Sequence, residues 1–350
     1  MLHRYLGNYK DFVCTAGKCP DTCCSGWAIE IDEDALHRYA SLAKAGDLPM
    51  KNRIDYEEAC FCQNPNGDCA FLKENGLCEM ILTHGEDILC DTCRLYPRHI
   101  EEFLGVREHT LSVSCPEVAL QVLSMDSHFT DTEVMENDKE DESLYEDYDQ
   151  ELFDALVLCR EEVLGIVRDS SVPFVEKCQT ILAYMKEKQA TLYDDEPDDF
   201  CEIPLFSREN FALLLELNPL KDDWVPSIQK AMYTLFGPSD KPFASTTTEG
   251  FIRAFESAHP SWKLQCDNLL YYFLYTYMCG AVYDDYVYAM AAQAVYNTCM
   301  IKLLWTSAYE RKERPLTIKE QANILYTYSR ELENDSENVI MLEQLLDEKW

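Results

Sequence analysis

The region that decides the fold of the first part of the chain reads Cys14-Thr15-Ala16-Gly17-Lys18-Cys19-Pro20-Asp21-Thr22-Cys23-Cys24-Ser25-Gly26-Trp27. Its short spacings let neighbouring thiolates converge on one metal ion or cluster. Gly17, Pro20 and Gly26 provide tight turns, whose backbone N–H groups donate to sulfur and lower the pKa of a thiol. The adjacent Cys23 and Cys24 cannot both easily bind one tetrahedral ion, so one of them is expected to pack beside the metal.

Cysteine is concentrated in the first third of the chain. Of the 17 cysteines, eleven lie between Cys14 and Cys115. The later members of this dense group occur in Cys69-Ala70-Phe71-Leu72, Leu77-Cys78-Glu79-Met80, Cys90-Asp91-Thr92-Cys93-Arg94-Leu95-Tyr96-Pro97-Arg98 and Leu111-Ser112-Val113-Ser114-Cys115-Pro116-Glu117. We interpret the dense group as metal ligands, with buried free thiols as the alternative. The scattered cysteines are predicted to be small buried hydrophobes, and they are Cys159, Cys178, Cys201, Cys266, Cys279 and Cys299.

The composition restricts the partners and the location of the protein. A formal net charge of -34 repels phosphate backbones, so nucleic acid is not expected as a partner. This charge would attract a basic partner, and solubility alone is the alternative explanation. The N-terminal sequence has no apolar signal core, and the longest apolar run, 269–283, is shorter than the roughly 20 residues of a membrane helix. We therefore expect a cytoplasmic protein with no membrane insertion.

All-sulfur ligation suits both zinc and iron–sulfur clusters, and the cysteine spacing does not choose between them. A reducing cytosol argues against a disulfide framework. Two motifs of methyl-transfer and radical enzymes are missing. The radical S-adenosylmethionine pattern C-x3-C-x2-C would need a cysteine at position 26, which is Gly26, and no G-x-G sequence supplies the turn of a Rossmann methyltransferase.

The pattern divides the chain into three regions. They are a cysteine-rich metal- or cluster-binding module at 1–125, an acidic linker or loop at 126–151 and an α-helical domain at 152–350. In the module, Asp32 is predicted to cap a helix, and Asn75-Gly76 indicates a tight turn. In the acidic stretch Lys139 is the only lysine or arginine. An alternative role for this stretch is a lip that receives a basic substrate.

The remainder of the chain is predicted to be helical. Apolar residues recur at helical spacing over 153–167, and two apolar, tyrosine-rich helices are predicted within 269–309. Pro173 can occupy the first position of a helix, and Thr317 with Glu320 forms a capping box. Because strand–helix alternation is missing, the predicted fold class is mainly α, an irregular cysteine-rich metal-binding module followed by an α-helical domain.

The cysteine-containing segments resemble the flagellin lysine-N-methylase family. The motifs that carry this resemblance are Cys-Pro-Asp-Thr-Cys-Cys-Ser-Gly-Trp at 19–27, Cys-Ala-Phe-Leu at 69–72, Leu-Cys-Glu-Met at 77–80, Thr-Cys-Arg-Leu-Tyr-Pro-Arg at 92–98 and Leu-Ser-Val-Ser-Cys-Pro-Glu at 111–117. They are also similar, more distantly, to the broad CxxCxxCC group of zinc- or iron-chelating domains. The helical remainder carries no matching motif.

The resemblance implies a bacterial enzyme that methylates lysine side chains of flagellin, with S-adenosylmethionine as the methyl donor. It also implies a 4Fe–4S cluster, with zinc as the alternative metal. The family cysteines carried over by these motifs are Cys14, Cys19, Cys23, Cys24, Cys69, Cys78, Cys93 and Cys115. Cys60, Cys62 and Cys90 fall outside the pattern. Eight thiolates exceed the four that one cluster needs, so some are expected to be buried neighbours or ligands of another site.

Methyl transfer to lysine requires a neutral amine, whereas a free lysine has a pKa of about 10.4. An apolar, aromatic-lined channel would lower that pKa by desolvation. Candidates for such a wall are Tyr271, Tyr272, Tyr275, Tyr277, Tyr283, Tyr286 and Tyr288, with ordinary helix packing as the alternative.

Asp21, Trp27 and Tyr96-Pro97-Arg98 lie within the cysteine motifs, and Arg98 is expected to form a structural ion pair rather than to bind a donor carboxylate.

Two other functions are compatible with the cysteines. A non-catalytic zinc- or iron-chelating protein would hold exchangeable metal and would have no affinity for a methyl donor. An iron–sulfur redox or sensor protein would undergo reversible reduction coupled to a change in shape or partner. A structural role is favoured over electron transfer for a cluster, because the radical S-adenosylmethionine motif is missing.

Overall fold

The structure is a computed structural model, and it describes residues 1–7, 9–138, 140, 142–146, 148–193, 200–238, 245–284 and 286–350. Lys139, the base of the predicted acidic linker, lies outside these residues. The first part of the chain contains β1 (Leu2–Leu6), α1 (Glu33–Lys44), α2 (Leu48–Asn52), β2 (Ile54–Asp55), β3 (Cys60–Phe61), α3 (Glu79–His84), α4 (Asp91–Leu95), β4 (Arg98–Phe103), β5 (Val106–Leu111), α5 (Pro116–Leu123) and β6 (Asp131–Met135).

The second part of the chain is helical, as its periodicity predicts. Its helices are α6 (Gln150–Arg168), α7 (Phe174–Leu192), α8 (Arg208–Ala212), α9 (Trp224–Phe236), α10 (Ser245–Ala258), α11 (Trp262–Tyr277), α12 (Val287–Lys312), α13 (Ile318–Glu333) and α14 (Ser336–Lys349). The mainly α fold class is therefore confirmed for the described residues. The division at residues 125 and 151 stays a prediction.

A four-stranded sheet corrects the expectation of an irregular first region. Its strand order is β4-β5-β1-β6, with β1 parallel to β5 and antiparallel to β6. A two-residue turn, Leu104-Gly105, joins β4 to β5, and Gly105 has the positive φ of 74° that such a hairpin turn requires. The edge strand β6 lies inside the stretch predicted as an acidic linker, so that part of the stretch belongs to the sheet.

One buried ion pair fastens the sheet to the helices. The two carboxylate oxygens of Glu108 in β5 accept hydrogen bonds from the two terminal nitrogens of Arg160 in α6, each at 2.5 Å. Both side chains are almost fully buried. Arg4 of β1 approaches the same carboxylate at 3.2 Å. Although burial raises it, the charges and hydrogen bonds of the two arginines hold the pKa of Glu108 below its ordinary value.

A small hydrophobic core organises the cysteine-rich segments. Its aliphatic and aromatic members are Ile29, Ile31, Ala35, Tyr39, Met50, Ile54, Phe61, Phe71 and Met80. Helix α1 buries Tyr39 in it, and the side chain of Asp32 caps this helix by accepting from the Ala35 N–H at 2.8 Å, which confirms the predicted cap. The predicted turn at Asn75-Gly76 is also confirmed, because Gly76 has a φ of 75° and donates to the carbonyl of Lys73.

A larger core surrounds helix α12, which contacts α7, α9, α10, α11, α13 and α14. This helix is buried on nearly every side, so its polar side chains need partners inside the protein. Lys302 meets Glu256 of α10 at 2.5 Å, and the Trp305 indole donates to the Gln321 carbonyl at 3.0 Å. Although α12 is long and apolar, no helix in the described part of the chain meets the length and hydropathy of a membrane span.

Local predictions for the helical part hold with small shifts. The predicted region 269–309 falls on α11, which begins seven residues earlier, and on α12, which ends three residues later. The capping box of Thr317 and Glu320 begins α13. Pro173 is the N-cap of α7 rather than its first helical residue. Five of the six scattered cysteines are buried as predicted, whereas Cys201 is exposed and corrects that expectation.

Candidate metal centre and adjoining pocket

The loop that carries Cys23 and Cys24 is fixed by backbone contacts on both sides. The Trp27 indole donates to the Cys23 carbonyl at 2.8 Å. The Cys24 carbonyl accepts from the Cys69 N–H at 2.8 Å, and Ser25 forms a bridge with Asp68. These contacts place Cys23 and Cys24 at the boundary between two groups of thiols.

The first cysteine set consists of Cys14, Cys19, Cys23 and Cys115. Cys23 lies within electrostatic range of Cys14 and Cys115. Cys115 also lies within range of Cys19 and Cys14, although it is far from both along the chain. The fold therefore brings the cysteine that precedes α5 to the loop formed by the first part of the motif.

The second cysteine set consists of Cys24, Cys69, Cys78, Cys90 and Cys93. All of its members pack in or against the small hydrophobic core. Cys90 is outside the family pattern, yet its thiol hydrogen-bonds to that of Cys93. The eight cysteines predicted as ligands therefore divide four and four between the sets, and their role as ligands stays a prediction.

The two neighbours Cys23 and Cys24 belong to different sets while their thiols hydrogen-bond to each other. This hydrogen bond lowers the pKa of Cys24 to about 7, against the opposing effect of burial. It also raises the pKa of Cys23, and burial adds to that rise. Cys24 is therefore the thiol of the pair that ionises more readily, and Cys23 is the one that keeps its proton.

Three of the cysteines stand immediately before short helices. Cys78, Cys90 and Cys115 are the N-cap residues of α3, α4 and α5, and nearby backbone N–H groups of the first turn act to lower the pKa of these thiols. These N–H groups favour a thiolate. Burial outweighs them at Cys115, where it raises the pKa to about 11, and at Cys69, where it raises the pKa to about 12. A metal cation would therefore have to displace protons from these thiols.

The donor chemistry and the spacing of the sets test which metal the residues fit. Among the described residues, the group of three ligand atoms that lies within 4.8 Å of one another is His3, Glu136 and Asp138, and it contains no cysteine. A tetrahedral zinc ion holds sulfur at about 2.3 Å, which places its sulfurs about 3.8 Å apart. Although Cys23 and Cys24, and Cys90 and Cys93, are paired by hydrogen bonds, no three thiols of the described residues lie within 4.8 Å of one another. The all-sulfur donors of each set suit either zinc or an iron–sulfur cluster, and the choice between the two stays a prediction.

Arg330 of α13 links the helical part to the first cysteine set. Its guanidinium pairs with the Asp21 carboxylate at 2.8 Å and donates to the Asp21 carbonyl at 3.2 Å. Its Nε donates to the Ser114 carbonyl at 3.0 Å, one residue before Cys115. Lys221 also approaches the Asp21 carboxylate, at 3.4 Å. The sequence marks Asp21 but gives no signal for Arg330, since the two residues are far apart in the chain.

A cavity of about 200 Å³, which we call the junction pocket, lies between the cysteine-rich segments and the helices. Its lining includes the side chains of Trp27, Tyr96, His99, Phe273, Tyr277 and Glu333. Trp27 and Tyr96 come from the cysteine motifs, and their rings lie 6.1 Å apart. Half-buried lining residues such as Asn334 leave the pocket open to solvent.

Glu333, at the end of α13, presents two different oxygens. Its Oε2 accepts three hydroxyl groups, from Tyr277 at 2.7 Å, Tyr272 at 2.8 Å and Ser112 at 2.9 Å. Its Oε1 is buried and has no hydrogen-bond partner within the described residues. A buried acceptor without a hydrogen bond costs about 1–3 kcal/mol, which a donor from outside the chain would offset.

His99 lies beside Glu333 and pairs with Glu101 at 2.7 Å. Burial acts to lower the pKa of His99. The hydrogen bond to Glu101 and the charges of Glu101 and Glu333 outweigh burial and raise this pKa above its ordinary value. Neither His99 nor Glu333 is marked by a sequence motif. No sequence signal distinguishes Glu333, because it is one acid among the 64 of a strongly acidic chain.

Ordinary packing explains most of the tyrosines proposed as a channel wall. Tyr271, Tyr272, Tyr275 and Tyr288 are buried between helices, whereas Tyr283 and Tyr286 are exposed. Of that group, Tyr277 lines the junction pocket. Arg98 also lines it, but its guanidinium stacks on Tyr9 and Phe12 rather than pairing with an acid of the described residues, which corrects the expected ion pair.

A wider groove of about 1240 Å³ lies elsewhere in the helical part. It is lined by residues of α7, of the segment 200–209 and of α9 and α10. Phe200, Phe206 and Phe236 give it apolar walls, and Glu176 and Arg208 add charges. Its size is above the range of about 300–1,000 Å³ that is usual for cofactor and small-molecule sites.

Comparison with known proteins gives one family match and a set of distant relatives. The family described as "FliB lysine N-methylase C-terminal domain" matches residues 174–350, from α7 to α14. The "Flagellar biosynthetic protein FliU" of Salmonella muenchen is 27% identical over 121 residues, which is 32% of this chain and 72% of that protein. No solved structure matches the chain.

Two proteins named "Lysine-N-methylase", from Salmonella typhimurium and Salmonella choleraesuis, are also 27% identical over 121 residues. The match covers 32% of this chain and 30% of each of those proteins. It thus spans less than a third of the length of either lysine-N-methylase.

Proposed function

The chain belongs to the FliB lysine N-methylase C-terminal domain family, and on this premise we propose that it is a protein-lysine N-methylase whose substrate is flagellin. The observation that carries the proposal is the family match, which covers the helices that build the larger core and one wall of the junction pocket. The names of the lysine-N-methylase and flagellar relatives support the reaction and the substrate.

The methyl donor of this proposal is S-adenosylmethionine, which supplies a methyl group on a positively charged sulfur. In the transfer, the lone pair of the lysine Nζ forms a bond to the methyl carbon, and the bond from that carbon to sulfur breaks with its electrons. The ammonium must first lose a proton, which costs roughly 4–5 kcal/mol at pH 7 for a pKa of about 10.4. The protein therefore has to bind the lysine, desolvate it and pass its proton to water or a base.

The proposal includes a cysteine-ligated 4Fe–4S cluster, with zinc as the alternative metal. Either cysteine set contains the four thiolates that one cluster requires. Such a cluster would crosslink segments that contain little helix or strand. Metal binding can contribute about 10 kcal/mol to folding. Its role would be structural, because each set joins separate short segments of the first third of the chain.

The decisive experiment is a methylation assay. The purified protein, prepared without oxygen, is incubated with unmethylated flagellin and S-adenosylmethionine, and the lysines are mapped by mass spectrometry. We expect methylated lysines that are missing when the donor is left out or when the flagellin lysines are acetylated beforehand. Flagellin that stays unmodified under these conditions, with metal-loaded and folded protein, would contradict the proposal.

A second candidate function is metal chelation or iron–sulfur redox sensing without catalysis. It is favoured by the gathering of nine cysteines into two sets, while the chain has no glycine-rich nucleotide turn. Metal that exchanges readily with chelators, together with no binding of the methyl donor, would indicate this function. Reversible reduction that changes the elution volume of the protein would indicate the sensor.

A further inference from the structure

We propose that the junction pocket binds the side chain of the substrate lysine and that Glu333 accepts its ammonium group. This inference rests on the proposed function and assigns a part of the chain to the substrate. The pocket combines an apolar wall, a free buried acceptor and an opening to solvent. A long apolar stem with a positive end requires these three properties.

The size of the pocket suits one side chain. Sites for cofactors and small molecules usually occupy about 300–1,000 Å³, whereas the junction pocket occupies about 200 Å³. A molecule as large as a nucleoside-based methyl donor would not fit into it whole. A lysine that enters from a partner protein brings only its four methylene groups and its amine.

The walls of the pocket match the apolar stem of a lysine. Trp27, Tyr96, Phe273 and Tyr277 present aromatic surface, and Phe273 is almost fully buried. Aromatic faces pack against methylene groups and also attract a nearby ammonium through their negative π-surface. Desolvation by such walls would lower the pKa of a bound lysine, against the Glu333 carboxylate, which would raise it, and the neutral amine is the form that accepts a methyl group.

The floor of the pocket matches the charged end. Three hydroxyl groups fix the carboxylate of Glu333 through Oε2, so its orientation does not depend on the ligand. Oε1 then remains as a buried acceptor with no partner in the described residues. An ammonium carries three N–H donors and no acceptor, and it would supply the missing hydrogen bond together with a neutralising charge.

The neighbouring charges do not occupy that position. The Nε2 of His99 is already engaged by the Glu101 carboxylate, at 2.7 Å. The guanidinium of Arg98 donates to the Phe12 carbonyl and stacks on Tyr9 and Phe12. Glu333 is therefore the acidic group of the lining with a buried oxygen that has no hydrogen-bond partner among the described residues.

A double-mutant cycle between the protein and its ligand tests the inference. The probes are flagellin peptides with a single lysine and the same peptides with norleucine, which keeps the stem and removes the charge. We expect the lysine peptides to bind wild-type protein at least about tenfold more tightly, as a hydrogen bond to a charged group predicts. In Glu333→Gln the advantage of lysine should fall below about twofold, while Glu162→Gln, an exposed glutamate of α6, should keep it.

A second variant keeps the test valid if Glu333→Gln does not fold. Val339→Phe places a ring at the edge of the same pocket without touching the carboxylate hydrogen bonds, and it should also abolish the preference for lysine. Thermal unfolding of each variant verifies that it is folded. An unchanged preference for lysine in both folded variants would overturn the inference.

The outcomes separate this inference from the proposed function. If wild-type protein methylates flagellin but the preference for lysine survives in both variants, the pocket assignment fails and the methylase stands. If the preference depends on Glu333 but no lysine is methylated, the methylase fails and the lysine site stands. If wild-type protein neither methylates flagellin nor distinguishes lysine from norleucine, both are wrong.

Discussion

At the scale of single residues, Arg330 is the side chain on which the order of the first cysteine set depends. It is buried, and it joins the loop at Asp21 to the turn before Cys115. Arg330→Met keeps much of the apolar stem but leaves Asp21 without its closest cation. Breaking a largely buried pair in this way costs about 3–5 kcal/mol.

We therefore expect Arg330→Met to lower the free energy of unfolding by about 3 kcal/mol in urea titrations. Arg253→Met is the matched control, because Arg253 forms an exposed pair with Glu249 on one helix. Such exposed pairs contribute about 0–1 kcal/mol. Equal stability of the two variants would show that the Asp21 contact is dispensable.

The division of the thiols into two sets leads to a prediction about metal content. If each set binds its own metal, Cys115→Ala should remove the metal of the first set only, and Cys69→Ala that of the second set only. Iron, zinc and acid-labile sulfide per chain, measured on protein prepared without oxygen, should fall by about half in each variant. Cys201→Ala, at an exposed cysteine outside both sets, is the control.

The result of that experiment also distinguishes one site from two. Loss of all metal in both single variants would indicate one shared centre. Loss in one variant alone would assign the metal to that set. Stoichiometric zinc without sulfide would replace the cluster by zinc.

At the scale of elements, the end of α13 carries a buried acid that makes stability depend on pH. Burial raises the pKa of Glu331 to about 7, against an ordinary value of 4.5. The folded state therefore holds more protons than the unfolded state between about pH 4.5 and 7, and its stability falls as the pH rises through that window. Glu331 is almost fully buried and accepts the Leu220 N–H at 2.7 Å.

We expect Glu331→Gln to remove this dependence. The free energy of unfolding of the wild-type protein relative to the variant should decrease by about 1–3 kcal/mol from pH 5 to pH 7.5. Urea titrations at several pH values measure the difference. Parallel pH profiles of the two proteins would mean that Glu331 ionises as an ordinary surface acid does.

The elements that the sequence predicts are those whose signals are local. Asp32 and the Thr317–Glu320 capping box are recognised within four residues, and so is the turn at Asn75-Gly76. The sheet is not predictable in this way, because β1 pairs with β5 across about a hundred residues. The sequence does not predict strand β6 either, because it is a largely exposed edge strand of mostly polar residues.

The candidate site shows the same limit. The cysteines are visible by spacing, but the separation of Cys23 from Cys24 is set by which segments fold against each one. The junction pocket draws one wall from the cysteine motifs and another from α11 and α13. Glu333 therefore acquires its role only from tertiary structure.

At the scale of the whole molecule, the Arg160–Glu108 pair connects the sheet to the larger core. Arg160 also donates to the Tyr275 carbonyl at 2.9 Å, so three elements meet at one guanidinium. We expect Arg160→Met to reduce the free energy of unfolding by about 3–5 kcal/mol, because Glu108 stays buried with Arg4 alone.

The double variant Arg160→Met/Glu108→Gln is the internal control. It removes the uncompensated charge and should recover part of the loss, as measured by thermal and urea unfolding. A double variant that is less stable than the sum of the single losses would contradict a charge-based explanation.

The contact between Arg330 and Asp21 has a consequence for how the protein is made. The two residues are separated by 309 positions. At about 5–20 residues per second, a ribosome needs roughly 15–60 seconds to travel that distance. During this time the loop that contains Asp21 has no Arg330 to pair with. Its thiols are then accessible to oxidants and to competing metals. Slow translation in an aerated culture should therefore yield more mismetallated protein than rapid translation in a culture deprived of oxygen.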